Sequence, residues 1–235
     1  MSNDSVIRVF IGYDPKEEVA FHVLQRSIHE RASQPVSITP ISLTQLNGIF
    51  CRERNPLQST EFSFSRFLTP WLCGFEGWAL FVDCDMLMRG DVADLWKLRD
   101  PKYAVQVVKH DYVPKEETKF LGAVQTKYQK KNWSSVMLFN CRECAALTPD
   151  YVNTATGLEL HQFKWLGDDS RIGEIPSAWN HLVDEYEPNS DAKLVHYTLG
   201  GPYFDEYRGC EFAGEWFDER DRLSNVTQRS ALAAK

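Results

Sequence analysis

The sequence predicts an α/β domain with a largely parallel central sheet. β-rich apolar runs alternate along the chain with segments whose apolar residues recur at helical spacing, as in chains built from strand–helix–strand units. Several of the apolar runs also end in polar residues, at the place where such a sheet presents the carboxyl ends of its strands to a ligand. At 235 residues, 43% of them hydrophobic, the chain is long enough to bury a substantial core.

The first half of the chain contributes three predicted strands. We expect strands at "VIRVFIGYD", "PVSITPISL" and "GWALFVD". Helical spacing of apolar residues predicts a helix in "EEVAFHVLQRSIHER", and a possible Ser or Thr cap followed by Glu predicts another in "STEFSFSRFLTPWL". The run "GWALFVD" is apolar up to its final residue, which predicts a buried strand.

The second half continues the alternation. A short helix is expected at "VADLWKL", strands at "YAVQVVKH" and "SSVMLFN", and the start of a helix at "CRECAAL". A late strand, "AKLVHYTL", is followed by a Gly-Pro turn and by an acidic helix near "EFAGEWFDERDRL". The sequence contains no evident linker or repeat, so we predict one domain over residues 1–209 and an acidic helical appendage over residues 210–235.

Composition argues against several classes of function. The net charge is −7, and the basic residues are scattered, which argues against binding to nucleic acid because phosphate backbones require a cationic surface. No stretch approaches the roughly 20 apolar residues of a transmembrane helix, and "MSNDSVIRVF" lacks the pattern of a signal peptide. The six cysteines mostly have apolar or aromatic neighbours, as reduced thiols of cytoplasmic proteins do. These features predict a cytoplasmic protein.

Four predicted strands end in polar residues: Asp14, the Asp83/Asp85 pair, Lys109 and His196. Alternating side chains in an extended chain place Asp83 and Asp85 on one face, while Cys84 points back toward the packed interior. Two neighbouring carboxylates repel each other unless a cation joins them, and a hard divalent ion such as Mn²⁺ or Mg²⁺ suits their oxygens. The alternative is that one Asp caps the next element while the other is solvated, since D-x-D alone is a weak pattern.

Four segments resemble the motifs of a known family. They are "FSRFLTPWL…GWALFVDCDMLMRGDVADLW", "WSSVMLFN" in place of N-A-G-V-x-L-x-N, "WLGDDSRIGEIPSAWN" in place of an acidic D-Q pair and L-P-x-x-W/Y-N, and "HYTLGGPY" in place of H-x-x-G-x-x-K-P-W. By these motifs the chain resembles the GT-A-fold glycosyltransferases, a Rossmann-like class, and is nearest to glycosyltransferase family 8, the family of glycogenin and lipooligosaccharide galactosyltransferases. The resemblance covers roughly residues 6–204.

The resemblance implies that residues 1–209 are a nucleotide-sugar-binding catalytic domain. Its implied reaction is hexosyl transfer from a nucleotide-diphosphate sugar, usually a UDP-sugar, to the hydroxyl of a carbohydrate or other acceptor, with retention. It further implies that Asp83, Asp85 and His196 hold Mn²⁺ or Mg²⁺ against the diphosphate. The resemblance also places the other site residues around the donor. Tyr13 and Asp14 would lie beside the base, and Arg66 near the phosphates or the sugar. Ser134 and Ser135 would lie along the donor, and Asp168 and Asp169 beside the anomeric carbon.

Two departures from the family pattern affect these expectations. Gly200-Gly201-Pro202 replaces the spacing that carries the family's phosphate-clamping lysine, although glycine amides still allow a phosphate to approach closely. Four residues are candidates for the missing charge: Lys109, Lys130, Lys131 and Arg208. The family's Asp-Gln pair is Asp168-Asp169 here, and an additional carboxylate could stabilise an oxocarbenium-like centre or act as a base.

Two other functions also fit parts of the pattern. A haloacid-dehalogenase-like phosphatase also uses an apolar strand ending in D-x-D, but on its first strand and with Thr or Val where this chain has Leu87. A protein that binds a nucleotide sugar and Mn²⁺ without catalysis would retain the pocket and tolerate the missing lysine. A phosphatase would release phosphate from simple esters, whereas a glycosyltransferase would not.

Overall fold

A computed structural model describes residues 5–54, 58–111 and 129–224 of the protein. The strands are β1 (Ile7–Gly12), β2 (Val36–Ile41), β3 (Trp78–Val82), β4 (Met86–Met88), β5 (Val105–Val107), β6 (Val136–Asn140), β7 (Ile172–Glu174), β8 (His181–Leu182) and β9 (Leu194–His196). The α-helices are α1 (Glu18–Arg31), α2 (Thr69–Leu72), α3 (Val92–Trp96), α4 (Pro149–Thr154), α5 (Gly157–His161) and α6 (Ala213–Ser224).

The central sheet confirms the predicted fold class. Within the described ranges it has six strands in the order β2-β1-β3-β6-β5-β7. Strand β1 pairs in parallel with β2 and β3, and β5 pairs in parallel with β7. The inner strands are almost entirely buried, as their continuous apolar sequences predicted, and they form one core with residues of the flanking helices.

Strand β6 runs antiparallel to both of its neighbours, β3 and β5. Its first residue, Val136, therefore pairs with Val82, the last residue of β3. The residues that precede β6 consequently lie at the same edge of the sheet as the residues that follow β3. The alternation of apolar segments in the sequence did not indicate this reversal, yet it brings Ser134 and Ser135 beside Asp83.

A smaller sheet was not predicted. It consists of β4, β9 and β8, and only three residues separate β3 from β4. Strand β4 pairs antiparallel with β9, so that Met86 lies opposite His196. Because Asp83, Cys84 and Asp85 form the connection between β3 and β4, the pairing with β9 places His196 beside the two acids.

The helix predicted over "STEFSFSRFLTPWL" is mostly wrong. The segment instead contains a short 3₁₀-helix, Ser65–Leu68, followed by the single turn of α2. Aromatic, Ser and Thr residues are weak helix formers, and Pro70 fits only the first turn of a helix. The aromatic side chains instead pack against the sheet, where Gly12 leaves the space for Phe62: a Cβ on Gly12 would lie 2.3 Å from the Phe62 ring.

The predicted acidic C-terminal helix is present as α6, and it packs on α1. Glu219 is only 2% exposed and forms ion pairs with Arg26 and Arg31; its Oε1 lies 2.8 Å from Arg31 Nη1. Trp216 is buried in a second apolar cluster with Val23. Residues 213–224 are thus joined to the body of the protein, while residues 225–235 lie outside the described ranges. The predicted domain boundary at residue 209 stays a prediction.

None of the helices in the described ranges is both long enough and apolar enough to cross a bilayer. All six cysteines lie in those ranges and have free thiols. The thiol state agrees with the prediction of reduced cysteines.

Candidate functional site

The Asp-Cys-Asp connection between β3 and β4 is fixed by backbone pairing on both sides. The Asp83 amide donates to the Ser135 carbonyl (3.0 Å), which extends the pairing of β3 with β6 by one residue. The Tyr197 amide donates to the Asp85 carbonyl (2.9 Å), which extends the pairing of β4 with β9. Both carboxylates therefore leave a rigid backbone, and Cys84 between them is fully buried, as alternation predicted.

The structure brings Asp83, Asp85 and His196 together. One ligand atom of each lies within 4.8 Å of the others. His196 Nε2 is 3.3 Å from Asp85 Oδ1 and 4.0 Å from Asp83 Oδ2. The three residues are at most 8% exposed, so the cluster is buried and water screens it poorly. We refer to these three residues as the acid–histidine cluster.

Arg66 supplies the first positive charge to this cluster. Its Nη1 lies 2.7 Å from Asp83 Oδ1 and also donates to the Ser134 carbonyl (2.9 Å). Burial raises the pKa of Asp83 to about 6, against the opposing effect of the Arg66 charge and with a further contribution from Asp85. One guanidinium thus compensates only part of the charge of two buried carboxylates.

The acid–histidine cluster has the chemistry of a divalent-metal site. Two carboxylates and one imidazole are oxygen and nitrogen donors of the kind that Mn²⁺ accepts, and Mg²⁺ favours the oxygens. Two buried like charges with one cationic neighbour also leave a place for a second cation. Asp83, Asp85 and His196 therefore fit the metal that the sequence predicted.

Ser134 and Ser135 are hydrogen-bonded inside the protein. Ser134 Oγ lies 2.7 Å from His161 Nδ1, and Ser135 Oγ donates to the Asn132 carbonyl (2.6 Å). Burial, assisted by the Arg66 charge, lowers the pKa of His161 to about 3, so this imidazole is neutral near pH 7. Both serines lie at the same edge of the sheet as Asp83, and their place along a donor stays a prediction.

Tyr13 and Asp14 follow β1 at that edge of the sheet. Asp14 is 2% exposed and accepts from the amides of Lys16 and Glu61, each at 3.0 Å. It thereby joins the turn after β1 to the segment that leads to Arg66. Tyr13 packs edge-on against Phe21, and its pKa is raised chiefly by burial. Neither side chain has a described contact with the acid–histidine cluster.

Lys109 lies in a basic cavity of about 390 Å³. The cavity is lined by Lys109, His110, Asp111, Gln129, Lys130, Lys131 and Trp133. Lys109 and Lys130 lie over the Trp133 ring at 5.9 and 5.8 Å. Three of the four candidates for the missing positive charge therefore share one cavity, whereas Arg208 is exposed and pairs with Asp205.

Gly200 and Gly201 follow β9 and shape the loop after His196. The Gly200 amide already donates to the Tyr197 carbonyl (3.1 Å). Gly201 leaves space for the ring of Tyr203, because a Cβ there would lie 2.1 Å from a ring carbon. Tyr203 in turn donates to the carboxylate of Glu17 (2.5 Å), which ties this loop to the turn after β1.

Asp168 and Asp169 lie in a different setting. Asp168 caps the 3₁₀-helix Asp169–Arg171, accepting from the Ser170 amide and hydroxyl at 2.8 and 2.6 Å. These hydrogen bonds lower the pKa of Asp168. The Asp169 side chain is 69% exposed and pairs with Lys130 at 2.6 Å. Among the contacts of the described residues, none joins this pair to the acid–histidine cluster, and its catalytic role stays a prediction.

The sequence analysis did not single out Asn180 as a site residue. Asn180 is fully buried, its Oδ1 lies 3.0 Å from His196 Nδ1, and its Nδ2 donates to Ser135 Oγ (2.8 Å) and the Asn132 carbonyl (3.3 Å). The sequence analysis also did not single out His161, which is hydrogen-bonded to Ser134. The available signal for Asn180 was its place at the end of "IPSAWN", one of the segments that carry the family resemblance.

Comparison with known sequences gives one near relative. The chain is 49% identical over 243 aligned residues to Protein CDI of Arabidopsis thaliana, an alignment that covers all of this chain and 93% of that protein. No protein-family model matches the sequence. The specific assignment to glycosyltransferase family 8 thus stays a prediction.

Solved structures share the fold at low sequence identity. The chain superposes on the bifunctional glycosyltransferase WbbM with a TM-score of 0.66 and 14% identity, over 99% of this chain and 52% of that one. It superposes on GlyE of Streptococcus pneumoniae TIGR4 with a TM-score of 0.61 and 11% identity, over 91% and 60%. An active-site mutant of LgtC gives a TM-score of 0.62 and 12% identity, over 95% and 98%.

The protein thus spans about half of WbbM and somewhat more of GlyE, but nearly all of LgtC. These likenesses show the fold, and they confirm the predicted GT-A architecture.

Proposed function

The chain belongs to the same family as Protein CDI of Arabidopsis thaliana, and we propose that it is a metal-dependent glycosyltransferase. The proposed reaction moves a sugar from a nucleotide-diphosphate sugar, with UDP as the expected nucleotide, to the hydroxyl of a carbohydrate or other acceptor. Retention of configuration is the outcome that the resemblance to glycosyltransferase family 8 implies. A structure of another LgtC form is described as a complex with donor and acceptor sugar analogues, which shows that this fold can hold both.

A single observation carries the proposal: the acid–histidine cluster lies at the edge of the sheet where GT-A-like α/β folds bind ligands. Its three side chains come from the connection between the two sheets and from β9, at positions more than a hundred residues apart, yet they meet inside the protein. Neither a packed core nor a solvated loop requires such an arrangement, whereas a cation bound to a diphosphate does.

When bound, Mn²⁺ or Mg²⁺ supplies the Lewis-acid charge that stabilises a leaving diphosphate. Asp83 and Asp85 would offer oxygen ligands to the metal, and His196 would offer Nε2. Arg66 Nη1 lies 2.7 Å from Asp83 Oδ1 and thereby holds that carboxylate in place. The rigid pairing of β3 with β6 and of β4 with β9 fixes these side chains before substrate arrives.

The donor's remaining groups require residues around the cluster. We assign Tyr13 and Asp14 to the base, Ser134 and Ser135 to the donor along β6, and Gly200 and Gly201 to the loop that covers the phosphates. Lys109 and the basic cavity around it are our candidates for the charge that the missing lysine would provide, since they gather three lysines in a chain of net charge −7. Asp168 and Asp169 remain predicted catalytic residues, and a cytoplasmic location remains a prediction.

The proposal is tested with a panel of nucleotide diphosphates and nucleotide sugars. We expect a thermal-shift stabilisation that needs both a nucleotide and Mn²⁺, followed by slow hydrolysis of the stabilising nucleotide sugar, which EDTA stops. Binding without transfer or hydrolysis would favour the non-catalytic alternative, which the missing lysine supports. Release of phosphate from p-nitrophenyl phosphate would instead favour the phosphatase.

A further inference from the structure

Behind His196, away from the two acids, lies a short series of buried hydrogen bonds whose direction can be assigned. It starts at the Asn132 carbonyl, which can only accept. Ser135 Oγ lies 2.6 Å from that oxygen and is therefore the donor of this hydrogen bond. The single hydroxyl proton of Ser135 is thus committed, and Ser135 Oγ can only accept from its other neighbour.

That neighbour is the side-chain amide of Asn180. Its nitrogen faces Ser135 Oγ at 2.8 Å and the Asn132 carbonyl at 3.3 Å, and both oxygens can only accept a hydrogen bond from it. The NH₂ group must therefore point toward Ser135, and Oδ1 must point the other way. A flipped amide would place an oxygen against two acceptors at a residue that has no exposed surface, where unsatisfied polar groups are costly.

Asn180 Oδ1 lies 3.0 Å from His196 Nδ1. Because this oxygen is an acceptor, Nδ1 must carry a proton and donate it. In a neutral imidazole the other nitrogen then has the free lone pair. That nitrogen, Nε2, is the one that faces Asp85 and Asp83 at 3.3 and 4.0 Å.

The backbone fixes Asn180 and His196 relative to each other. Asn180 ends the 3₁₀-helix Ser177–Trp179 and immediately precedes β8, which pairs in parallel with β9. In that register Leu182 lies opposite His196, and the Val183 amide donates to the His196 carbonyl (3.0 Å). The amide and the imidazole are thus attached to neighbouring strands of one small sheet.

We propose that Asn180 is the positioning residue of the metal ligand His196: it keeps Nδ1 protonated and directs Nε2 toward Asp83 and Asp85. The inference rests on the proposed function, because Nε2 acts as a ligand only if the acid–histidine cluster binds a metal. Histidine ligands generally donate their second ring N–H to a protein acceptor, and that partner fixes both ring orientation and tautomer. Here the partner is an amide held in turn by Ser135 and Asn132.

The first test measures Mn²⁺ affinity by electron paramagnetic resonance in four variants of the full chain. Asn180→Leu removes the acceptor at similar volume and should weaken Mn²⁺ binding about 10- to 100-fold, the usual effect of losing such a partner. Asn180→Asp keeps an acceptor for the Nδ1–H but turns its second oxygen toward Ser135 Oγ and the Asn132 carbonyl, so folded Asn180→Asp should lose less Mn²⁺ affinity than Asn180→Leu. His196→Ala gives the largest loss of Mn²⁺ affinity that Asn180→Leu can reach, because a positioning residue cannot contribute more to binding than the ligand itself.

Asn153→Leu is the matched control. Asn153 also makes two side-chain hydrogen bonds of 2.8 Å, to the Ile49 carbonyl and from the Cys51 amide, but in another part of the fold. The substitution Asn153→Leu should lower the free energy of unfolding and leave Mn²⁺ affinity unchanged. Wild-type affinity in folded Asn180→Leu would overturn the inference, as would an equal loss in Asn153→Leu.

The second test does not depend on the metal. In ¹⁵N-histidine-labelled, metal-free protein, Nδ1 of His196 should be protonated at every pH at which the protein is folded, whether or not Nε2 carries a proton. In Asn180→Leu, the proton of the His196 ring should no longer be confined to Nδ1. A bare Nδ1 in the wild type would overturn the inference even if Mn²⁺ binds. If Nδ1 is protonated but wild type binds no Mn²⁺ with any nucleotide, the proposed function fails and the hydrogen-bond assignment stands.

Discussion

The chain contains two pairs of aspartates that the family resemblance directs to the same substrate, and the structure gives them opposite surroundings. Asp83 has a side chain only 11% exposed, next to Arg66, whereas the Asp169 side chain is 69% exposed next to Lys130. Asp83 and Asp85 join two sheets, whereas Asp168 and Asp169 form a turn before β7. The first pair has neighbours from distant parts of the chain, and the second pair mainly caps its own turn.

The difference shows what makes an acidic pair a candidate site. A solvated carboxylate is satisfied by water, so its presence indicates little about function. A carboxylate that the fold forces out of water must have a cationic or hydrogen-bonding partner, because desolvation destabilises its charged form. The apolar strands on both sides of Asp83-Cys84-Asp85 impose that burial.

The largest effect is expected from Asp85→Asn. Removing one ligand from the acid–histidine cluster should lower nucleotide-sugar turnover about a thousandfold, corresponding to the several kcal/mol of charge stabilisation that a catalytic metal supplies. Circular dichroism should show an intact fold. The control is Asp169→Asn, which should leave Mn²⁺ affinity unchanged. Equal turnover in wild type and Asp85→Asn would remove the metal from the proposed mechanism.

The second effect concerns stability. Arg66→Gln leaves Asp83 buried without its cationic partner and should lower the free energy of unfolding of the metal-free protein by about 3 kcal/mol, as when a buried ion pair loses one partner. Lys130→Gln breaks the pair with the largely exposed Asp169 and should cost less than about 1 kcal/mol, since solvent screens that pair. Urea unfolding measures both. Equal losses would contradict the contrast between the two pairs.

The third effect is the pH dependence of metal binding. Burial raises the pKa of Asp83 to about 6, so the carboxylate that a metal needs is protonated below that pH. Mn²⁺ affinity should be constant above about pH 7 and fall up to about tenfold per pH unit below pH 6. In the metal-free protein, the free energy of unfolding should change with pH in the opposite direction to the Mn²⁺ affinity. The pKa of Asp83 is higher in the folded protein than the unfolded value of 3.8, so Asp83 makes the folded protein less stable as pH rises from about 4 to 6. A flat affinity profile down to pH 4.5 would refute the assignment of Asp83 as a ligand.

The smallest effect is expected from Asp168→Ala. The loss of its cap on the 3₁₀-helix Asp169–Arg171 should lower Tm by no more than about 3 °C and leave Mn²⁺ affinity unchanged. Differential scanning calorimetry and a Mn²⁺ titration provide the two measurements. A large loss of Mn²⁺ affinity would show that this pair belongs to the metal site.

Much of the fold and the centre of the site follow from local sequence patterns. Continuous apolar runs such as "GWALFVD" predicted buried strands, and alternation predicted that Asp83 and Asp85 share a side while Cys84 packs. Joining His196 to that pair depended on strand ends meeting at one edge of a sheet, and the structure brings the three together.

The remaining parts of the site depend on pairing between distant segments, which local periodicity does not encode. The reversed direction of β6 places Ser135 beside Asp83, and the pairing of β4 with β9 places His196 beside Asp85. Asn180 is a polar residue in an irregular turn, and only its hydrogen bonds to residues far along the chain reveal its role. The exposed Asp168-Asp169 pair shows the converse, since adjacent acids in a sequence need not share a site.

Anomalous diffraction from a crystal grown with Mn²⁺ and a nucleoside diphosphate would locate the metal itself. We expect one Mn²⁺ peak per chain, in contact with carboxylate oxygens of Asp83 and Asp85 and with Nε2 of His196. A nucleoside diphosphate bound without any such peak, or a peak coordinated by other residues, would show that the acid–histidine cluster is not the metal site.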